Sequence, residues 1–256
     1  MFKILIDYFL GGFMENFTKI AIVSDIHANK YALSSFLQYL EDYFEADKIL
    51  NLGDFVSIGP HPKEVVQTVL SDGRFVNIIG NNELILLGQR RNEWFRGTEP
   101  HRDWMVNQLI KELIDQIKEI PTSQILNIQN RKLLMLHSHF YDIPNRSIQD
   151  NTLLYQGKSL NEFINDYPKD VEIVLLGHSH EQLYLATQGK IIINPGSLSI
   201  TKKPQISFCL FEINDQKMNL NFKNINYDVS NLKNDYIERD VIGKEFLMKH
   251  FYSFLT

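Results

Sequence analysis

Lys19-Ile20-Ala21-Ile22-Val23-Ser24-Asp25-Ile26-His27-Ala28-Asn29 decides the fold. Ile20–Val23 is apolar without alternation, the mark of a strand covered on both faces. It stops at Asp25 and His27, and the chain then changes period. Leu33, Phe36, Leu37, Leu40 and Phe44 recur at helical spacing and form one apolar stripe. The unit repeats: a strand over Lys48–Leu52 ends at Gly53-Asp54, and Pro62 opens a helix over Lys63–Leu70, where its missing N–H costs little. A third strand over Phe75–Ile79 ends at Gly80-Asn81-Asn82-Glu83. Strand–helix–strand–helix–strand is the pattern of a sheet with covering helices, and such sheets collect ligands beyond the carboxyl ends of their strands. Polar residues suited to chemistry stand at that end of each strand.

Further along, Glu83–Glu119 predicts a helical insertion (about residues 83–120) over or beside that edge. Its stripe is Val106, Leu109, Ile110, Leu113 and Ile117, Pro121 stops it, and Trp94 and Trp104 read as its core. From Ile125 the chain turns extended: Ile125–Ile128, then Lys132–Leu136 ending in His137, then Glu172–Leu176 ending in Gly177-His178-Ser179-His180. Gly189–Ile193 leads into Asn194-Pro195-Gly196-Ser197, a tight turn with Gly196 or Ser197 near the same edge. Ile206–Ile213 and Met218–Ile225 read as a hairpin around Asn214-Asp215, and a final helix is expected near Gly243–Phe254. An α/β head with a strand-rich tail predicts two sheets packed face to face with helices outside.

With 256 residues, 44% hydrophobic and 22% charged, the chain has the composition of a soluble globular protein. Its formal net charge of −5 argues against a broad nucleic-acid face, while leaving room for a local phosphate site. The lone Cys209 lies in an apolar run and has no internal disulfide partner. Met1–Phe13 is apolar but too short to span a bilayer and lacks a small-residue cleavage pattern. The cleaner start is Met14, so residues 1–13 are expected to be an upstream extension without a catalytic role. Residues 14–256 are expected to form one domain of a cytoplasmic protein that does not associate with membranes.

The strand-end groups Asp25, His27, Asp54, Asn81, His137, His178 and His180 offer carboxylate, imidazole and amide oxygen together, the mixture that divalent metals accept. Seven donors exceed one ion's needs and suit two, with one carboxylate bridging. Two ions about 3.5–4 Å apart can bind the attacking and leaving oxygens of a phosphoryl displacement. Each residue alone has a plainer role: Asp25 a helix N-cap, Asp54 and Asn81-Asn82 turns, His137 a hydrogen-bonded histidine near the core. Their joint occurrence in order points to metal. His61, His101 and His250 read as surface residues, and Arg90-Arg91 and Lys202-Lys203 as solvated faces.

The same blocks resemble those of the calcineurin-like metallophosphoesterases, from Lys19 to Lys203, with spacing most like the small bacterial and archaeal phosphodiesterase branch. The resemblance implies a four-layer αββα sandwich of two mixed β-sheets flanked by helices, with a dinuclear site at one edge. Asp25, His27 and His180 would hold one ion, Asn81, His137 and His178 the other, with Asp54 bridging. A hydroxide between the ions would attack phosphorus directly. Manganese is the first expectation for the two divalent ions, with iron, zinc and nickel as alternatives. The substrate implied is small and phosphorylated, a nucleotide-like diester or dinucleoside polyphosphate, with a phosphomonoester as the alternative. One position departs: the family usually has histidine where this chain has Asn82. An amide hydrogen-bonds phosphate but is no general acid near neutral pH. Proton delivery then falls to His139 or His61, or turnover relies on a good leaving group. Asn82 also favours a rival reading, a non-catalytic binding scaffold, which the intact seven-residue set opposes. A nuclease is disfavoured by the acidic charge.

Overall fold

β1 (Thr18–Val23) sits at the centre of a mixed sheet in the computed structural model, which describes residues 17–90, 98–138 and 164–256. Residues 1–13, Trp94 and His139 therefore lie outside the described residues. On one side of β1 run β2 (Lys48–Asn51) and β3 (Phe75–Asn77), both parallel to it; on the other, β9 (Gln205–Ile213) and β10 (Met218–Asn226) run antiparallel in turn. The sheet order is β10-β9-β1-β2-β3. The second sheet has the order β4-β5-β6-β8-β7, from β4 (Ser123–Ile128), β5 (Arg131–Leu136), β6 (Ile173–Leu175), β7 (Gln182–Thr187) and β8 (Lys190–Pro195). Its centre β5-β6-β8 is parallel and both edges are antiparallel.

Side chains alternate across a strand, and that alternation sorts the layers. Ile20, Ile22, Leu50 and Phe211 face Leu133, Met135, Leu175 and Ile193 in the core between the sheets. Ala21, Val23 and Ile49 face the other way, onto Phe36 and Leu40 of α1 (Lys30–Tyr43) and Val65 and Val69 of α2 (Pro62–Ser71). Both faces of β1 are buried, which explains its unbroken apolar run. The outer face of the second sheet, Leu134, Val174 and Ile192, buries against Ile164, Tyr167 and Val171. The result is the expected α/β sandwich of two mixed sheets flanked by helices.

The region after β3 contains α3 (Asn81–Leu86), α4 (Thr98–Gln108) and α5 (Lys111–Lys118). The single stripe expected from Val106 to Ile117 is broken. Ile110 caps α5 with extended backbone and is 48% exposed, leaving Leu113 and Ile117 as that helix's buried pair. Near the C-terminus, α6 (Leu232–Glu238) precedes α7 (Lys244–Phe251), and a single 3-10 turn, Ser253–Leu255, follows. His250 is exposed as expected, but His61 and His101 are buried and correct the surface reading. His61 Nε2 lies 2.7 Å from Asp235 Oδ2, and His101 Nδ1 lies 3.0 Å from the Ile242 carbonyl, partners far away in sequence.

Candidate metal centre

The loops leaving β1, β2, β3, β5 and β6 meet at one edge of the sandwich, zipped together by backbone hydrogen bonds. Asp25 N donates to Gly53 O at 3.0 Å, His27 N to Asp54 O at 2.9 Å, and Gly177 N to His137 O at 3.0 Å. Sharp turns at the strand ends swing the side chains inward. Asp25, His27, Asp54, His178 and His180 all have left-handed backbone, with φ between 45° and 68°, a conformation that persists only where its surroundings enforce it. Close approach also demands glycine: a Cβ on Gly80 would lie 2.2 Å from Asp54 Oδ1.

Two clusters result. In the first, His27 Nε2 and His180 Nε2 are 3.2 Å apart, and Asp25 Oδ1 lies 3.5 Å and 3.3 Å from them. Asp25 Oδ2 accepts the His178 N–H at 2.9 Å, while buried Oδ1 has no hydrogen-bond partner among the described residues. In the second, His137 Nε2 lies 3.1 Å from Asn81 Oδ1, 3.2 Å from His178 Nδ1 and 3.3 Å from Asp54 Oδ2. His137 Nδ1 sits 2.7 Å from Leu52 O; donating there, it leaves Nε2 as the lone-pair atom aimed at the cluster. Every one of the seven sequence candidates is in one of these clusters. Asp25, His27 and His180 form one triad of facing donor atoms, and Asp54, His137 and His178 another, the atoms of each within 4.8 Å of one another. Bare lone pairs pointed at each other repel unless a cation or proton lies between them. The carboxylate–imidazole set and the orphaned Asp25 Oδ1 fit a divalent ion in each cluster.

The electrostatics have the same sense. Burial tends to raise the Asp25 pKa, but His180 and His27 win and hold it well below the ordinary carboxylate range. For Asp54 burial is likewise overcome by His137, bringing the pKa to about 2. His137 rises to about 9 because the carboxylates outweigh its burial, and His178 falls to about 3 through burial and the nearby His137 charge.

Around the clusters stands a second set of contacts. Asn82 clasps Asp54: its backbone N donates to Oδ1 at 2.8 Å and its Nδ2 to Oδ2 at 2.6 Å. Ser197 Oγ donates to Asp25 O at 2.8 Å, so the turn after β8 does reach this edge. His61 does not: it is buried and its Nε2 is engaged with Asp235. Glu83, to which the sequence assigns no role, anchors the loops. Its Oε1 accepts the N–H groups of Phe55 and Val56, and Oε2 those of Asp54 and Gly80, all between 2.7 and 2.9 Å. An acid at the third position of a helix is the available signal. Burial and the Asp54 charge push the Glu83 pKa up to about 7, against the pull of the backbone donors. In Glu83→Gln an NH2 group must face two N–H donors. Urea unfolding is expected to show a loss of about 2–4 kcal/mol, since each unsatisfied buried donor costs about 1–3 kcal/mol; unchanged stability would contradict this anchoring role.

A family model described as the calcineurin-like phosphoesterase superfamily domain matches residues 18–216. An uncharacterised protein of Methanocaldococcus jannaschii is 26% identical over 224 residues, covering 82% of this chain and 88% of its own. A symmetrical bis(5'-nucleosyl)-tetraphosphatase of Erwinia tasmaniensis is 30% identical over 122 residues, covering 46% of this chain and 43% of its own. The crystal structure of a metallophosphoesterase from Sphaerobacter thermophilus superposes with a TM-score of 0.70 at 23% identity, over 93% of this chain and 99% of that one. Among the described residues, no helix is long and apolar enough to cross a membrane.

Proposed function

The chain belongs to the calcineurin-like phosphoesterase superfamily, a family of metal-dependent hydrolases, and we propose that it is a phosphodiesterase acting on a small nucleotide-like substrate in the cytoplasm. The observation that carries this reading is the pair of facing donor clusters with the unbonded, buried Asp25 Oδ1. Asp25, His27 and His180 would hold one divalent ion, Asn81, His137 and His178 the other, and Asp54 would bridge; manganese is the first choice. Two such ions, when bound, supply an activated water and neutralise charge on the phosphoryl oxygens. The chain's own contribution is to fix the donors on strand ends and to hold Asp54 between His137 and Asn82.

Asn82 narrows the substrate. Its amide donates a hydrogen bond but delivers no proton, so the bond cleaved should release a group stable as an anion, a phosphate or nucleotide. The similarity to a bis(5'-nucleosyl)-tetraphosphatase supports a dinucleoside polyphosphate as a candidate. To test the reading, chelated protein is titrated with Mn²⁺ and assayed on bis-p-nitrophenyl phosphate and diadenosine tetraphosphate. Two bound ions and strictly metal-dependent turnover are expected; a protein that binds no ion overturns the proposal. Replacing Asn82 with histidine is expected to raise the rate on a diester with an alkyl leaving group at least about 10-fold, since general acid catalysis is typically worth about 10²–10⁴-fold. The activated aryl diester should change little. Equal rates on both substrates, with an unaltered pH profile, would count against Asn82 as the limiting group.

A further inference from the structure

Ser57 and Ile58 are consecutive residues with left-handed backbone, φ 68° and 65°. For a β-branched residue this is an outlier that the surroundings must impose. The turn is gripped from three sides. Towards the metal centre, Gly59 N donates to His27 O at 3.1 Å. From α4, His101 Nε2 accepts the Ile58 N–H at 3.3 Å, and from α6, Tyr236 OH donates to Ile58 O at 3.0 Å. Both backbone groups of the strained residue are thus held by side chains from outside the two sheets. The His101 ring is set up to accept, because Nδ1, 3.0 Å from Ile242 O, takes the proton and leaves Nε2 bare. Its ring stacks on Trp104, whose Nε1 donates to Arg239 O at 3.1 Å. Tyr236 is fully buried, and it lies beyond the segment that the family model matches.

We propose that His101 and Tyr236 are positioning residues for the ion at Asp25, His27 and His180. They hold the 57–59 turn in its left-handed form. Through the Gly59–His27 hydrogen bond, the turn keeps His27 at φ 45° with Nε2 facing Asp25 and His180. The inference rests on the metal reading above and adds to it a second role for the helices that press on the turn: besides satisfying the buried backbone groups of Ile58, they fix the turn that holds His27.

The test uses the full chain, freed of metal by chelation, as wild type, Tyr236→Phe, His101→Leu and His101→Gln. Tyr236→Phe removes one hydroxyl and is the variant least exposed to misfolding. In Mn²⁺ titrations followed by calorimetry, Tyr236→Phe and His101→Leu are expected to weaken one of the two ions about 10-fold, the low end of the effect of losing a group bonded directly to a ligand, because neither residue touches one. The other ion should bind as it does in wild type. In the metal-free protein the Gly59 amide should exchange its hydrogen faster. His101→Gln, whose amide can accept from Ile58 and donate to Ile242, should recover most of the affinity. Variants that melt at lower temperature yet bind both ions as wild type does would show a purely structural role and overturn the inference alone. A wild-type protein that binds no Mn²⁺ would overturn the metal reading and this inference together.

Discussion

Asp54→Asn is expected to lower metal-dependent diester hydrolysis about 10³-fold, equivalent to about 4 kcal/mol of transition-state stabilisation. The replacement is almost isosteric, so what changes is charge and hydrogen-bond donors. Asp54 Oδ2 lies 3.3 Å from His137 Nε2 and accepts from Asn82 Nδ2, while Oδ1 accepts from the Asn82 backbone. An asparagine retains the carbonyl oxygen but presents an NH2 either to the Asn82 backbone N–H or to the Asn82 amide and His137. Removing the negative charge also leaves the second cluster with imidazoles and an amide, a weaker set for a hard divalent ion. Mn²⁺ titration should therefore show one ion lost or greatly weakened, with the far-ultraviolet circular dichroism unchanged. Wild-type turnover by the asparagine variant would remove Asp54 from the bridging role.

Two histidines outside the metal centre are expected to cost the fold stability as pH falls from 6.5 to 4, while Glu83, held up to about 7, acts in the opposite direction above its ordinary range. Burial takes His61 down to about 4 despite Asp235, with Lys30 and Arg239 adding to the shift. Burial does the same to His101, which reaches about 4 even though its hydrogen bond to Ile242 O opposes the shift. In the unfolded chain both would titrate near 6.5. Between pH 6.5 and 4 these two histidines therefore bind more protons in the unfolded state than in the folded one, and the stability they confer falls as pH falls through that window. At about 1.4 kcal/mol per pKa unit, each histidine contributes a loss of about 3 kcal/mol by pH 4. Urea unfolding of His101→Gln against wild type isolates one of them: the variant's loss across the window should be smaller by about 3 kcal/mol. Parallel pH profiles would show that His101 is not held neutral.

The parts of the fold legible in the sequence are those where one force dominates. Ile20–Val23 is covered on both faces, and its composition says so; Asp25, Asp54 and Asn81 break apolar runs at the very place where a sheet binds ligands. β7 is missed although Leu183–Ala186 is apolar: it is an edge strand with Tyr184 53% exposed, and it directly follows the Gly177–His180 block. α6 is hidden because its sequence is polar and buries only Leu232 and Tyr236. Ile110 has the spacing of a stripe residue, yet it interrupts the helix whose stripe that spacing would extend. The burial of His61 and His101 is invisible for a different reason: their partners, Asp235 and Ile242, lie 174 and 141 residues away. The role of Glu83 is similarly hidden, since a count of possible ligands does not see a carboxylate that serves four backbone N–H groups.

Each donor triad draws on both sheets: Asp25 and His27 follow β1 and Asp54 follows β2, whereas His137 follows β5 and His178 and His180 follow β6. An ion in either cluster therefore rivets one half of the sandwich to the other. Binding at 100 times its dissociation constant adds about 2.7 kcal/mol of stability per site. Metal supply then sets more than the rate of a reaction. Without metal the two halves would be held by their shared apolar core and the hydrogen bonds between their loops, so the protein's resistance to proteases would become a gauge of the cation supply.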